Sequence, residues 1–187
     1  MTLDIESPQL SIESLDSEGR GIAHSPEGKV LFVEGALPRE KVLARVINRK
    51  SKYEFLKATT ILEESSGRRA PRCPHFGVCG GCATQHADAR TQMAAKQRAL
   101  EENLARIGKV QPDSMLPVVY GEEWGYRRRA RWSVRHVPSK GGAMAGFRER
   151  RSTHVADTRE CHLLPPHVSA LILPLRALVG QLSTPDR

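Results

Sequence analysis

Cys73, Cys79, Cys82 and Cys161 are the four cysteines of this chain, and three of them fall in one decapeptide, Cys73-Pro74-His75-Phe76-Gly77-Val78-Cys79-Gly80-Gly81-Cys82. The spacing is C-x5-C-x2-C, with the fourth thiol far downstream. Three soft ligands on a glycine-rich loop and one distant ligand are what an iron–sulfur cluster or a structural zinc requires. The glycines suit that chemistry, because several sulfurs converge on one point only where the backbone takes conformations that side chains forbid. Two disulfides, or four unrelated core thiols, are the plain alternative. The opening Met1-Thr2-Leu3-Asp4-Ile5-Glu6 is acidic and no apolar signal-peptide stretch follows it, so a cytoplasmic location is expected. A cytoplasmic chain does not depend on disulfides, which favours metal.

Charge marks a second chemistry. Residues 126–151 hold nine Lys/Arg against one acid, Glu149, whereas residues 1–64 hold nine Lys/Arg and eleven Asp/Glu. The net charge of the whole 187-residue chain, +8, equals that of this one basic segment. Nucleic acid is the expected reader of so dense a footprint, although a solvated basic face competes for any single arginine. Tyr126-Arg127-Arg128-Arg129-Ala130-Arg131-Trp132-Ser133-Val134-Arg135 has a period of two. An extended strand would place Arg127, Arg129, Arg131 and Arg135 on one face and Tyr126, Ala130, Trp132 and Val134 on the other, Arg128 excepted. Side chains two apart in a strand are separated by roughly 6.6 Å. That is similar to the phosphate spacing along a single strand, so the row can track a nucleic-acid backbone. Arg148, with Arg150 and Arg151, widens the patch from the returning strand. Trp132 reads as core rather than as a stacking platform; Tyr126 is open to either.

The elements that must position these groups follow from pattern. Leu10–Leu15, Gly21–His24, Lys29–Val33, Lys41–Arg49 and Tyr53–Glu63 read as five strands with Gly19, Gly21, Gly28 and Gly35 at the corners, as in a small OB-like barrel. Residues 65–71, polar with Gly67 and Pro71, read as a hinge. A helix is expected over Ala87–Ile107, with Met93, Leu100, Leu104 and Ile107 as its apolar stripe and Gly108 as its stop. Tyr126–Val137 and Ala143–Arg150 read as a hairpin turning at 138–142, followed by a short strand over Thr153–Ala156. A helical stretch over His167–Leu182, interrupted at Pro174, completes the pattern. No apolar run is long enough to cross a bilayer, so no membrane partner is expected.

The C-x5-C-x2-C loop, Gly125-Tyr126-Arg127-Arg128-Arg129-Ala130-Arg131, Gly146-Phe147-Arg148 and Cys161 together resemble the bacterial 23S ribosomal RNA uracil-C5 methyltransferase family. The first sixty residues, with Gly19, Gly21, Gly35 and Pro38, resemble its TRAM domain. The resemblance implies an α+β architecture: a five-stranded OB-like, TRAM-like barrel over 1–64, RNA-binding, and an iron–sulfur-stapled α/β central domain over 65–187. It implies a [4Fe–4S] cluster on Cys73, Cys79, Cys82 and Cys161, ribosomal RNA as partner, and S-adenosylmethionine as methyl donor of the full-length family. The family's Rossmann-type catalytic domain is expected to be absent from these residues. No glycine-rich turn follows a strand and opens a helix. The cluster uses every cysteine, leaving none as nucleophile, and Glu122, Glu123 and Asp157 have no evident acid–base partner. The expectation is a monomeric RNA-recognition portion, inactive in methyl transfer without a C-terminal catalytic domain. The cluster is expected to be structural, closing a long segment that contains the arginine strand, with a redox or oxygen sensor as the competing idea. Two other functions stand beside this one. A zinc-stabilised nucleic-acid-binding module would use His75 or His86 in place of Cys161. An electron-transfer protein is disfavoured, because the cysteine spacing is neither of the two-cluster nor of the plant type.

Overall fold

The computed structural model describes residues 9–138 and 142–182; the acidic opening at 1–6 and the centre of the hairpin turn, 139–141, lie outside the described residues. Two compact units emerge, Met1–Ala70 with His86–Val118 and Pro71–Gln85 with Val119–Arg187. The chain therefore passes between these units more than once.

In the first unit, alternating apolar residues build one mixed sheet: β1 (Gln9–Ser11), β2 (Ser14–Leu15), β3 (Gly21–His24), β4 (Val30–Glu34), β5 (Lys41–Arg49) and β6 (Tyr53–Glu63). Their order is β1-β5-β6-β4-β3-β2, with β4 and β6 parallel. Six strands replace the expected five, because the first expected strand breaks in the middle. β1 pairs with β5, Glu13 N–H then donates to Ile22 O at 2.8 Å, and β2 pairs with β3. By changing partner, this segment bridges both edges of the sheet and closes it, which removes the free edges. Gly21 permits the crossing: a Cβ there would stand 2.7 Å from the Ile12 methyl. Leu10, Ile12, Leu31, Val33, Val42 and Leu56 fill the interior.

Residues 65–70 are pinned to this barrel rather than hinged. Glu40 is fully buried, and its carboxylate accepts from Leu37 N–H at 2.8 Å and Ser65 N–H at 3.2 Å. Arg68 grips both its oxygens, at 2.5 and 2.7 Å, and also donates to the Gly35 carbonyl at 2.7 Å. Burial alone pushes the Glu40 carboxyl up; the hydrogen bonds from Arg68, Leu37 and Ser65 outweigh it and hold the group below its ordinary value. A lowered folded pKa gives stability that is present above the unfolded value, about 4.3, and is lost as pH falls through the folded value. Arg68→Ala strands a buried carboxylate and is expected to cost the unit about 3–5 kcal/mol at neutral pH, read by denaturant unfolding. Glu40→Gln is expected to flatten the acid limb of the stability–pH profile.

Helix α1 (Ala89–Glu102) starts at Asp88, whose carboxylate accepts from Thr91 N–H at 2.8 Å, a side-chain cap. It runs into a π-helical turn, Asn103–Gly108, that ends at Lys109 in the left-handed conformation, one residue beyond the expected glycine stop. The expected apolar stripe is not core. Leu100 and Ile107 are 51% and 78% exposed, and the helix docks through Ala95 beside Leu15, Leu37 and Ala87.

In the second unit, β7 (Ser133–Val137) pairs antiparallel with β8 (Gly142–Gly146). The expected hairpin is real but shorter, since 126–132 is irregular and, beyond Gly146, the returning strand continues only as isolated bridges, Arg148↔Val155 and Cys79↔Glu149. Helices α2 (Pro166–Ser169) and α3 (Ile172–Leu182) follow. Pro174 does not interrupt α3 because it lies in the first turn, where a missing N–H removes no helical bond. Arg176 fixes α3 by donating to the Ala143 and Thr158 carbonyls at 3.0 and 3.2 Å and pairing with Asp157 at 2.6 Å. Among the described residues no helix is long and apolar enough to cross a membrane.

Candidate metal centre and basic face

The cysteine loop is shaped by its own turns and by one neighbouring segment. Cys79 N–H donates to His75 O at 2.9 Å, and Gly77 takes a φ of +88°. Gly80 N–H donates to Arg148 O and Arg150 N–H to Val78 O, both at 2.9 Å, laying the loop along 148–150. Two of its glycines serve close approach rather than unusual torsion. A Cβ on Gly80 would stand 2.7 Å from the Arg148 carbonyl oxygen, and one on Gly81 2.8 Å from the Phe147 ring. A backbone oxygen cannot rotate away, so Gly80→Ala is expected to destabilise this unit by about 1–3 kcal/mol, as measured by thermal unfolding.

Cys161 arrives on a different segment, its N–H donating to Ser169 Oγ at 2.9 Å. All four cysteines are free, and all four line one small cavity of about 20 Å³, with His75, Gln85 and Thr158 also in its wall. Burial pushes the Cys73, Cys79 and Cys82 thiols up, and the neighbouring sulfurs push the same way. As free thiols these three are neutral and poor nucleophiles. Among the described residues no three of His, Cys, Asp and Glu are placed to hold a single ion. His75 accepts from Arg159 N–H at 3.2 Å, while His86 is buried in the other compact unit.

The arginine run is tied directly to the Cys161 segment. Gly125 N–H donates to His162 O at 2.9 Å and Arg127 N–H to Leu163 O at 2.8 Å, within two residues of the cysteine. These bonds replace a strand ladder, which is why the two-faced arrangement fails over 126–132. Arg127 is half-buried with its guanidinium 5.5 Å from the Phe147 ring centroid. Arg129, Arg131, Arg135 and Arg148 are exposed. On the supposed apolar face Tyr126, Ala130 and Val134 are exposed as well, and Trp132 alone packs into the core, edge-on to Phe147. Asp157 is occupied by Arg176, a structural role.

Pattern reading passed over an aromatic trio on the outside of the barrel. Phe32, Tyr53 and Phe55 pack with ring centroids 5.4–5.8 Å apart, and Arg20 lies 5.0 and 5.1 Å from two of them. The signal was available, since these rings occupy the outward positions of β4 and β6. Aromatic faces beside a cation are the surface chemistry that single-stranded nucleic acid uses.

Residues 9–59 match the TRAM domain model. The chain is 61% identical over 178 residues to the 23S rRNA (uracil(1939)-C(5))-methyltransferase of Bordetella parapertussis, a match covering 95% of the chain and 38% of that protein. Over nearly its whole length the chain is thus similar to the N-terminal portion of this methyltransferase family. The enzyme of the same description from Nitrosospira multiformis is 56% identical, over 94% of the chain and 40% of its own length. The chain thus spans about two fifths of the length of the curated relatives it matches. Among solved structures, the Pyrococcus abyssi tRNA (uracil-54, C5)-methyltransferase superposes with a TM-score of 0.59 over 93% of this chain and 37% of its own. At 19% identity that likeness carries the fold alone. The TRAM-like barrel and the kinship expected from sequence both stand.

Proposed function

We propose that this chain is the RNA-binding, cluster-carrying part of a 23S rRNA uracil-C5 methyltransferase, working in the cytoplasm as a monomer and unable to transfer a methyl group without a C-terminal S-adenosylmethionine domain. The barrel over 1–64 and the central domain over 65–187 both contact ribosomal RNA in this reading. One observation supports it above the rest: four free thiols converge on one cavity, and the backbone beside Cys161 holds the arginine run by two hydrogen bonds. The donor set fits a [4Fe–4S] cluster, being all sulfur and drawn from a loop and a distant position. When bound, the cluster supplies Fe–S bonds that tie Cys73, Cys79 and Cys82 to Cys161.

What the chain's own residues then do is positional. Cys161 fixes the carbonyls of His162 and Leu163, these fix Gly125 and Arg127, and Arg129, Arg131 and Arg135 are presented to solvent. Binding of a 23S rRNA fragment by anaerobically purified protein tests the function. Affinity is expected to fall with salt and to drop when iron is chelated, with no methyl transfer from added S-adenosylmethionine. Affinity indifferent to both salt and chelation would overturn the assignment.

A further inference from the structure

One buried polar side chain in the wall of the cysteine cavity has no place in the ligand set. Gln85 is 7% exposed and stands three positions after Cys82. Its Oε1 accepts from Cys73 N–H at 3.1 Å, twelve positions upstream, so a single amide closes the loop on itself. Cys79 Sγ takes its donor from the loop backbone, the Gly81 N–H at 3.4 Å. Cys82 takes its donor from Gln85: burial pushes that thiol up, and the hydrogen bond from the Gln85 side chain opposes the rise. An amide side chain offers a carbonyl acceptor and N–H donors together. Gln85 uses both ends, the oxygen on the backbone of one cysteine and the nitrogen on the sulfur of another. An apolar side chain of the same size would fill the space and leave both groups without this partner.

We propose that Gln85 is a positioning residue for the cluster, its Oε1 fixing the Cys73 backbone and its amide N–H donating to the Cys82 sulfur, so that one side chain governs two of the four ligands. This role rests on the cluster reading proposed above. An N–H aimed at a sulfur ligand favours the state that carries more negative charge, and such bonds are among the factors that set the reduction potential of an iron–sulfur centre. Gln85 therefore raises that potential and holds iron more firmly. A residue serving only the shape of the loop would leave the potential alone.

The test uses the full chain, purified without oxygen, as parent, Gln85→Met, Gln85→Glu and Leu164→Ala. Methionine keeps the length of glutamine and gives up both hydrogen bonds; glutamate keeps an oxygen for Cys73 and gives up the N–H. Leu164→Ala opens the core that Cys161 shares and touches neither bond. By spectroelectrochemistry, both Gln85 variants are expected to show a lower midpoint potential than the parent, and Leu164→Ala the parent's. Gln85→Met is also expected to release iron to a chelator about two- to tenfold more readily, the weight of one lost hydrogen bond. Parent-like potential and iron release in loaded Gln85→Met would overturn the proposal, as would a potential lowered equally in Leu164→Ala. If neither Gln85 variant loads iron, loading of Leu164→Ala decides: a loaded Leu164→Ala supports the role, and an empty one shows that any damage to this core empties the site, which overturns it. A parent that holds no iron sinks the cluster reading and this role with it; a loaded parent with indifferent Gln85 variants sinks the role alone.

Discussion

Cys161→Ser is expected to leave anaerobically purified protein short of iron and sulfide, and to melt the unit containing Pro71–Gln85 at a markedly lower temperature. The physical reason is the modest core of that unit. Cys161, Leu163, Leu164 and Ile172 form its buried cluster, and among the described residues two short strands and two helices surround it. A structural metal contributes on the order of 10 kcal/mol to small folds of this kind, against net stabilities of about 5–15 kcal/mol for whole domains. Loss of one ligand in four therefore removes a large part of what holds loop 73–82 against the Cys161 segment. Visible absorption with iron and sulfide analysis reads the first effect. Limited proteolysis reads the second: cleavage within 71–85 and 119–138 accelerates while the barrel, with its separate core, stays protected. Full iron and sulfide in Cys161→Ser would remove Cys161 from the ligand set, and zinc without iron in the parent protein would remove the cluster from the account.

Sequence legibility followed the reach of each interaction. β3 to β6 were readable because their in–out alternation is local and their turns carry glycines with positive φ at 19, 28 and 35. The break between β1 and β2 was not, since it depends on which of two distant strands lies beside Ile12. The four thiols declared themselves by type and spacing, but their convergence on one cavity depends on Ser169, His75 and the 148–150 segment, contacts that span up to 84 positions. In α1 the apolar period of Leu100 and Ile107 was genuine, yet periodicity records an apolar face without recording what covers it. Among the arginines, period two predicted a strand, but residues 125 and 127 donate to a loop near Cys161 and the alternation lost its structural meaning there.

That difference changes which arginines matter for RNA. Arg127 is half-buried over Phe147, so Arg127→Ala removes a cation–π contact and should act mainly on stability, by about 0.5–1 kcal/mol. Arg129, Arg131, Arg135 and Arg148 are exposed and free to neutralise phosphates. If all four do so on single-stranded RNA, log affinity falls with log salt at a slope of about −3. Changing Arg129, Arg131 and Arg135 to Ala together should then cut the magnitude of that slope by about 2, at three contacts of roughly 0.7 each. The loss should be similar for RNAs of different sequence, because phosphate contacts position the strand without reading its bases. Thermal unfolding of the triple variant should be nearly unchanged, since exposed arginines contribute little to the fold. An unaltered salt slope in a folded triple variant would move RNA recognition away from this face, leaving the barrel, with Arg20 and its aromatic trio, as the surface to which the same salt titration should next be applied.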